Sequence, residues 1–193
     1  MSQYAPISLY DSTGIRKYLN TSERKLFYKT VNQLHNEQKS LFLLLIFWTG
    51  VRISEALSTT KNSIDFEDQV LIVRSLKKRD KIVYRRIPLP PQLIARLENL
   101  PNPNDHGFRL FPWSRRTASR YIMSIMKECN IRGSKACAKG LRHSFAVHCI
   151  NHNIPITMLQ KWMGHSHLST TSIYLDIIGE EERELARRIW ERL

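Results

Sequence analysis

Hydrophobic positions along this chain recur at two different periods, and the switches between them outline the elements. Leu26, Phe27, Thr30, Val31 and Leu34 follow the capping-type residues Thr21-Ser22-Glu23 at helical spacing, predicting a helix over roughly Ser22 to Leu34. Leu41 to Trp48 (LFLLLIFW) is apolar on every side, which predicts a buried helix from about Gln38 to Thr49, stopped by Gly50. That run is far too short to span a bilayer. Ile53, Ala56 and Leu57 share a face and place a short helix over Ile53 to Ser58. The period then falls to two. Ile64 and Phe66, and after the turn Glu67-Asp68-Gln69 the run Val70 to Val73, read as two strands; Ile82 to Pro88 is the third.

Helical spacing returns after Pro90-Pro91 and runs to about Leu100, before the loop Pro101 to Gly107. Ile122, Ile125, Met126 and Cys129 stripe a helix from about Arg115 to Cys129. Leu141, Phe145, Ala146 and Cys149 stripe another from roughly Lys139 to Asn151. Ile156 to Met163 forms the next, with Gly164 as its left-handed cap, and a short helix carries Tyr174. The segment Glu180 to Leu193 is amphipathic through Leu185, Ile189 and Leu193. The expected class is α+β, mainly α-helical, with a small three-stranded antiparallel sheet. Residues 1–20 carry no period and read as an arm, residues 21–179 as the body, and residues 180–193 as a C-terminal helix that packs at home or on a neighbouring protomer.

Composition narrows the partners. The chain has 193 residues, 42% of them hydrophobic, enough for one substantial core. A formal charge of +13 favours a polyanion, with nucleic acid first and an anionic membrane surface second. Three cysteines, Cys129, Cys137 and Cys149, form no CxxC pair and read as reduced thiols of a cytoplasmic protein. No secretory signal pattern precedes them. Arg74, Lys77, Lys78, Arg79, Lys81, Arg85 and Arg86 crowd the last two strands and their hairpin, reading as an edge that tracks phosphates. Arg115, Arg116 and Arg120 decorate the start of the following long helix in a manner suited to a DNA groove or to a solvated face.

The stretch Cys137 to Asp176 carries the chemistry. Arg142 and His143 sit near the start of a helix, His165 follows the glycine stop, and Tyr174 comes nine positions later. Upstream, Arg52 in TGVRISEAL directly follows the apolar helix, so partial burial and an anionic partner, Glu55 or a ligand, are expected. Cleaving a phosphodiester with a tyrosine needs a nucleophile, charge on the non-bridging oxygens and an acid for the departing oxygen. Arg52, Lys77, Arg142, His165 and Tyr174 supply those functions without a carboxylate cluster for magnesium. His148 and His152 stand at zinc-like i, i+4 spacing, but further ligands are lacking and no metal site is assigned.

TGVRISEAL, the basic hairpin, GLRHSFAVH and MGHSHLSTTSIY resemble, in order, the signature boxes of tyrosine recombinases of the phage-integrase and Xer type. The resemblance runs from about Ser22 to Asp176. It implies a site-specific recombinase that integrates, excises or inverts DNA through a 3′-phosphotyrosyl intermediate, without cofactor, metal or ATP. It also implies paired phosphate-binding arginines at Arg52 and Arg142, a supporting histidine at His165 and the nucleophile at Tyr174. Lys77, with Lys78 as the rival, resembles the hairpin lysine that protonates the leaving 5′ oxygen. Lys139 stands where the family usually has histidine, and His143 reads as a structural hydrogen-bonder. So short a lead-in resembles the minimal fimbrial-invertase type. The implied partners are DNA, a homo-oligomer of two to four protomers on it, and accessory DNA-bending proteins. A silent DNA-binding regulator and a type IB topoisomerase-like enzyme are the competing functions.

Overall fold

The computed structural model describes residues 8–76, 82–101, 108–176 and 180–190. Helices α1 (Thr21–Asn32), α2 (Glu37–Thr49) and α3 (Ile53–Leu57) lead into a meander of strands β1 (Ile64–Asp65), β2 (Val70–Leu76) and β3 (Ile82–Pro88). Then follow α4 (Pro91–Glu98), α5 (Arg115–Glu128), α6 (Ala138–Asn151), α7 (Ile156–Met163), α8 (Ser169–Ser172), a 3₁₀ turn over Ile173–Leu175, and α9 (Glu180–Trp190). The sheet has order β1-β2-β3 and is antiparallel throughout, with Leu71 opposite Ile87 and Val73 opposite Arg85. This is the mainly helical α+β architecture that the periodicity predicts. No described helix is long and apolar enough to cross a membrane.

Local chemistry explains the boundaries. Asn20, not Thr21, caps α1, in a reciprocal box with Glu23. Gly50 closes α2 at φ +59°, and a Cβ there would lie 2.4 Å from a ring carbon of Phe145. Glycine is therefore required both by the left-handed backbone and by the close approach of α6. Every residue from Leu41 to Phe47 is at most 3% exposed. Each such side chain is worth about 1.5–3 kcal/mol as an upper estimate, which makes α2 the main hydrophobic anchor.

Two apolar clusters meet at α6. The larger joins α1, α2, α4, α5 and the inner sheet face; the smaller joins Phe145, Ala146 and Cys149 of α6 to Leu159, Met163 and Tyr174. Buried on both sides, α6 is fixed in rotation, and with it the side chains of its first turns. Leu9 and Tyr18 are buried in the smaller cluster, and the Leu19 N–H donates to Ser144 Oγ at 2.6 Å. Isolated apolar residues without a period suffice for this, because a strap docks residue by residue and needs no repeating face.

The hairpin residues Lys77, Lys78, Arg79 and Lys81 lie outside the described residues, as does most of the proline-rich loop. Two charges assigned to the phosphate-tracking edge are engaged within the fold. Arg85 is only 5% exposed, while Arg86 pairs with Asp65 and Asp68. In β3, Arg85 falls on the inward side with Ile87 and Leu89, so strand alternation places it inside.

Candidate active site

Arg142 projects from α6 between two helix ends. Its Nη1 donates to the Gly50 carbonyl and its Nη2 to the Met163 carbonyl, both at 2.6 Å. Those carbonyls terminate α2 and α7, where acceptors lack intrahelical partners and the helix dipoles are negative. The guanidinium thus binds the two helices together. Burial, and next the Arg52 charge, bring its pKa down to about 10, which leaves it cationic at neutral pH.

His165 lies directly against that fork, with Nε2 3.1 Å from Arg142 Nη2. A guanidinium nitrogen only donates, so Nε2 accepts and the ring proton sits on Nδ1. Nδ1 then donates to Thr171 Oγ1 at 2.9 Å. Burial, followed by the charges of Arg142 and Arg52, holds His165 at about 4, so the ring is neutral at physiological pH. Gly164 makes the turn that delivers it, at φ +63°. A Cβ there would lie 3.0 Å from the Arg85 guanidinium.

Glu55 organises the other side. Its Oε1 accepts from Arg52 Nη1 at 3.0 Å and its Oε2 from Arg85 Nη2 at 2.7 Å. Burial pushes the Glu55 carboxyl upward, but the hydrogen bonds and charges of Arg85 and Arg52 more than offset it. Arg85 also donates Nε to the Trp162 carbonyl at 2.9 Å, tying β3 to α7. Arg52 has the expected partner but not the expected burial: its side chain is 47% exposed. The residue caps α3 instead of extending α2, so its side chain leaves the core at the cleft rim.

Tyr174 sits on the 3₁₀ turn and is 1% exposed. Its hydroxyl lies 3.0 Å from His143 Nδ1, and its ring runs parallel to that of His165 with centroids 6.5 Å apart. Burial pushes the phenol up to about 12, with Arg142 opposing.

One cleft of about 530 Å³ is lined by Arg52, Arg115, Lys139, Arg142, His165 and Tyr174, together with His143 and apolar neighbours. Five of the six expected catalytic residues therefore converge, and the sixth, Lys77, lies outside the described residues. Arg115, expected to touch DNA from α5, faces the same cleft; Arg116 and Arg120 stay exposed on α5 away from it. Three participants were not singled out for this cluster from sequence: Arg85, Thr171 and the His143–Tyr174 contact. Only strand alternation could have flagged the first. Among the described residues no group of three His, Cys, Asp or Glu side chains could hold a metal ion. The His148 and His152 rings lie with centroids 4.1 Å apart, tilted by 50°, and His152 Nδ1 is 2.8 Å from the His148 carbonyl.

Known proteins share this fold. The phage integrase family profile matches residues 17–180. Tyrosine recombinase XerA of Pyrococcus furiosus is 34% identical over 155 residues, covering 77% of this chain and 53% of the relative. The chain thus spans about half the length of that relative. The crystal structure of XerA recombinase superposes with a TM-score of 0.74 at 23% identity, over 89% of this chain and 64% of that one. XerH site-specific recombinase, solved bound to its difH substrate before cleavage, gives 0.70 at 22% identity, over 94% and 59%. At such identities the two structures establish the fold. A profile that spans nearly the whole described body, on a scaffold that gathers two arginines, a histidine and a tyrosine in one cleft, makes this chain a member of the phage integrase family.

Proposed function

We propose that the chain is a site-specific DNA recombinase that cleaves and rejoins double-stranded DNA through a 3′-phosphotyrosyl intermediate. The observation that carries the reading is the convergence of Arg142, clamped between two helix ends, with His165 and the hydroxyl-bearing Tyr174 in a cationic cleft. A phosphodiester placed there meets two guanidiniums. Arg142 is pre-oriented by its carbonyl partners, and Arg52 is steered by Glu55 yet exposed enough to reach a ligand. Such donors need no reorganisation as charge builds on the phosphorus oxygens.

In the cleavage step the Tyr174 oxygen attacks phosphorus, the bond to the 5′ oxygen breaks, and that oxygen takes a proton from the hairpin lysine, Lys77 or its neighbour Lys78. The phosphotyrosyl ester conserves the bond energy, so rejoining by a 5′ hydroxyl is the reverse reaction and requires no nucleotide. Neutral His165 keeps the Arg142 fork in plane, and Lys139 adds a donor at the rim. The remaining cations, Lys78, Arg79, Lys81, Arg115, Arg116 and Arg120, are assigned to the DNA backbone, consistent with a formal charge of +13. Two to four protomers act together on paired sites, with accessory DNA-bending proteins.

A nicked duplex that loses its short 5′ fragment on cleavage traps the adduct. The parent chain should yield a denaturant-stable protein–DNA species, and Tyr174→Phe should yield none while binding DNA as before. Adduct formation by the Phe variant at the parent rate would place the nucleophile elsewhere.

A further inference from the structure

The Tyr174 hydroxyl must lose its proton as it attacks, and the cleft narrows the choice of acceptor to one atom. His165 is already committed: its Nε2 lone pair accepts from Arg142 and its Nδ1 hydrogen points to Thr171. Glu55 is held by two arginines on the far side. Lys139 lines the cleft but makes no hydrogen bond to the hydroxyl. His143 Nδ1 is 3.0 Å from the hydroxyl.

The other nitrogen of the same ring adds an independent observation. His143 is 5% exposed, and its Nε2 is buried without a hydrogen-bond partner. With the tyrosine donating to Nδ1, the ring hydrogen sits on Nε2, a buried donor without an acceptor. A residue kept only for packing has no reason to hold a polar atom there, since a phenylalanine would fill the space without that cost.

We infer that His143 is a catalytic residue, the base that accepts the Tyr174 proton during attack on the scissile phosphate. The inference rests on the strand-cleavage reading above. As the tyrosine oxygen bonds to phosphorus, its proton passes to His143 Nδ1. The bond to the 5′ oxygen breaks, its electron pair leaves with that oxygen, and the hairpin lysine protonates it. On rejoining, the proton returns from Nδ1 to the phenol.

The charges around the ring make this base conditional on substrate. Burial first, then Lys139, Arg142 and Lys17, hold His143 at about 4, while the phenol is at about 12. Without DNA the proton therefore stays on Tyr174, and no phenolate stands ready for a stray electrophile. An incoming phosphodiester brings negative charge beside Arg142 and Lys139, offsetting two of the cations that weaken the base. Lys17 of the lead-in, and Arg142 and Lys139 of α6, are the cations that face it; Tyr174 and neutral His165 complete its titratable surroundings.

The test uses the full chain and the trapping duplex, with His143→Asn, whose amide can keep the hydrogen bond but cannot take up the proton. Single-turnover adduct formation should fall about 100-fold or more, the range for a lost general base, at unchanged DNA affinity. The loss should persist on a duplex with sulfur as the bridging 5′ atom, which removes the need for a leaving-group acid. Installing 3-fluorotyrosine at position 174, a more acidic phenol, should recover part of the rate. If His143→Asn melts far below the parent, His143→Gln replaces it in every arm. Cleavage within about threefold of the parent, a defect that vanishes on the sulfur substrate, or no recovery with fluorotyrosine would each overturn the assignment. A parent chain that forms no adduct would overturn the cleavage reading with it.

Discussion

Arg52 and Arg142 would bind the same phosphate, yet they stand in opposite surroundings. Arg142 is 9% exposed and bonded to two helix-end carbonyls, whereas the Arg52 side chain is 47% exposed with one carboxylate partner. Arg142→Ala should therefore lose stability as well as activity. Leaving the Gly50 and Met163 carbonyls unpaired costs about 1–3 kcal/mol each in buried surroundings. Arg52→Ala should stay within about 0.5 kcal/mol of the parent. Both should slow adduct formation by roughly 10²–10³-fold, as removal of one transition-state donor does. Denaturant melts alongside single-turnover cleavage separate the two arginines; equal melts would refute the structural role given to Arg142.

Titration extends this scale to pH. His143, His148 and His165 are each held at about 4, burial being the first cause in every case. Above the ordinary value near 6.5, both folded and unfolded chains carry them neutral, so they add no pH dependence. Between about 6.5 and 4 the unfolded chain binds protons that the folded chain refuses, so stability falls as pH falls. The midpoint of thermal melting should drop across that window. His148→Gln, outside the cleft and depressed further by Arg24 and His152, should make the acid limb shallower. An unchanged limb would show that His148 is not held neutral.

At the scale of elements, the site is an assembly of helix ends. Gly50 ends α2 and offers its carbonyl to Arg142, while Gly164 ends α7 and leaves room for Arg85. Gly50→Ala would strain a left-handed residue by about 1–2 kcal/mol and drive a methyl into the Phe145 ring. We expect a total loss above about 2 kcal/mol, with cleavage falling further than DNA binding because the displaced carbonyl frees Arg142. Urea melts and adduct yields check both halves. A variant that melts with the parent would mean α6 can yield at that contact.

For the whole molecule, α9 is the element that ends in uncovered apolar side chains. It lies beside α6, yet Ile189 and Trp190 are 70% and 62% exposed at its far end. We propose that this end docks on a neighbouring protomer. Deletion after Gly179 should leave a folded chain that binds single sites but fails to pair them. Sedimentation on DNA with parallel melting decides the matter: a large stability loss in the truncated monomer would assign the helix to its own domain.

Sequence by itself determined the order of elements, the period switch at the sheet, the glycine stops, and the residue types from which the cleft is made. Those features are local: a helix face or a capping glycine is legible within a few residues because backbone geometry fixes its spacing. Periodicity marks which face is buried but never which buried faces meet. The tertiary structure decided that Arg142 bridges Gly50, 92 positions away, and Met163, 21 away, and that Tyr174 meets His143 across 31. It also anchored a lead-in without period through Leu9, Tyr18 and Leu19, moved Arg85 from a surface edge to an ion pair with Glu55, and left Arg52 at the rim. Each of those outcomes depends on how α6 packs between two clusters, a long-range balance of volume and hydrogen bonding that no local window of the chain contains.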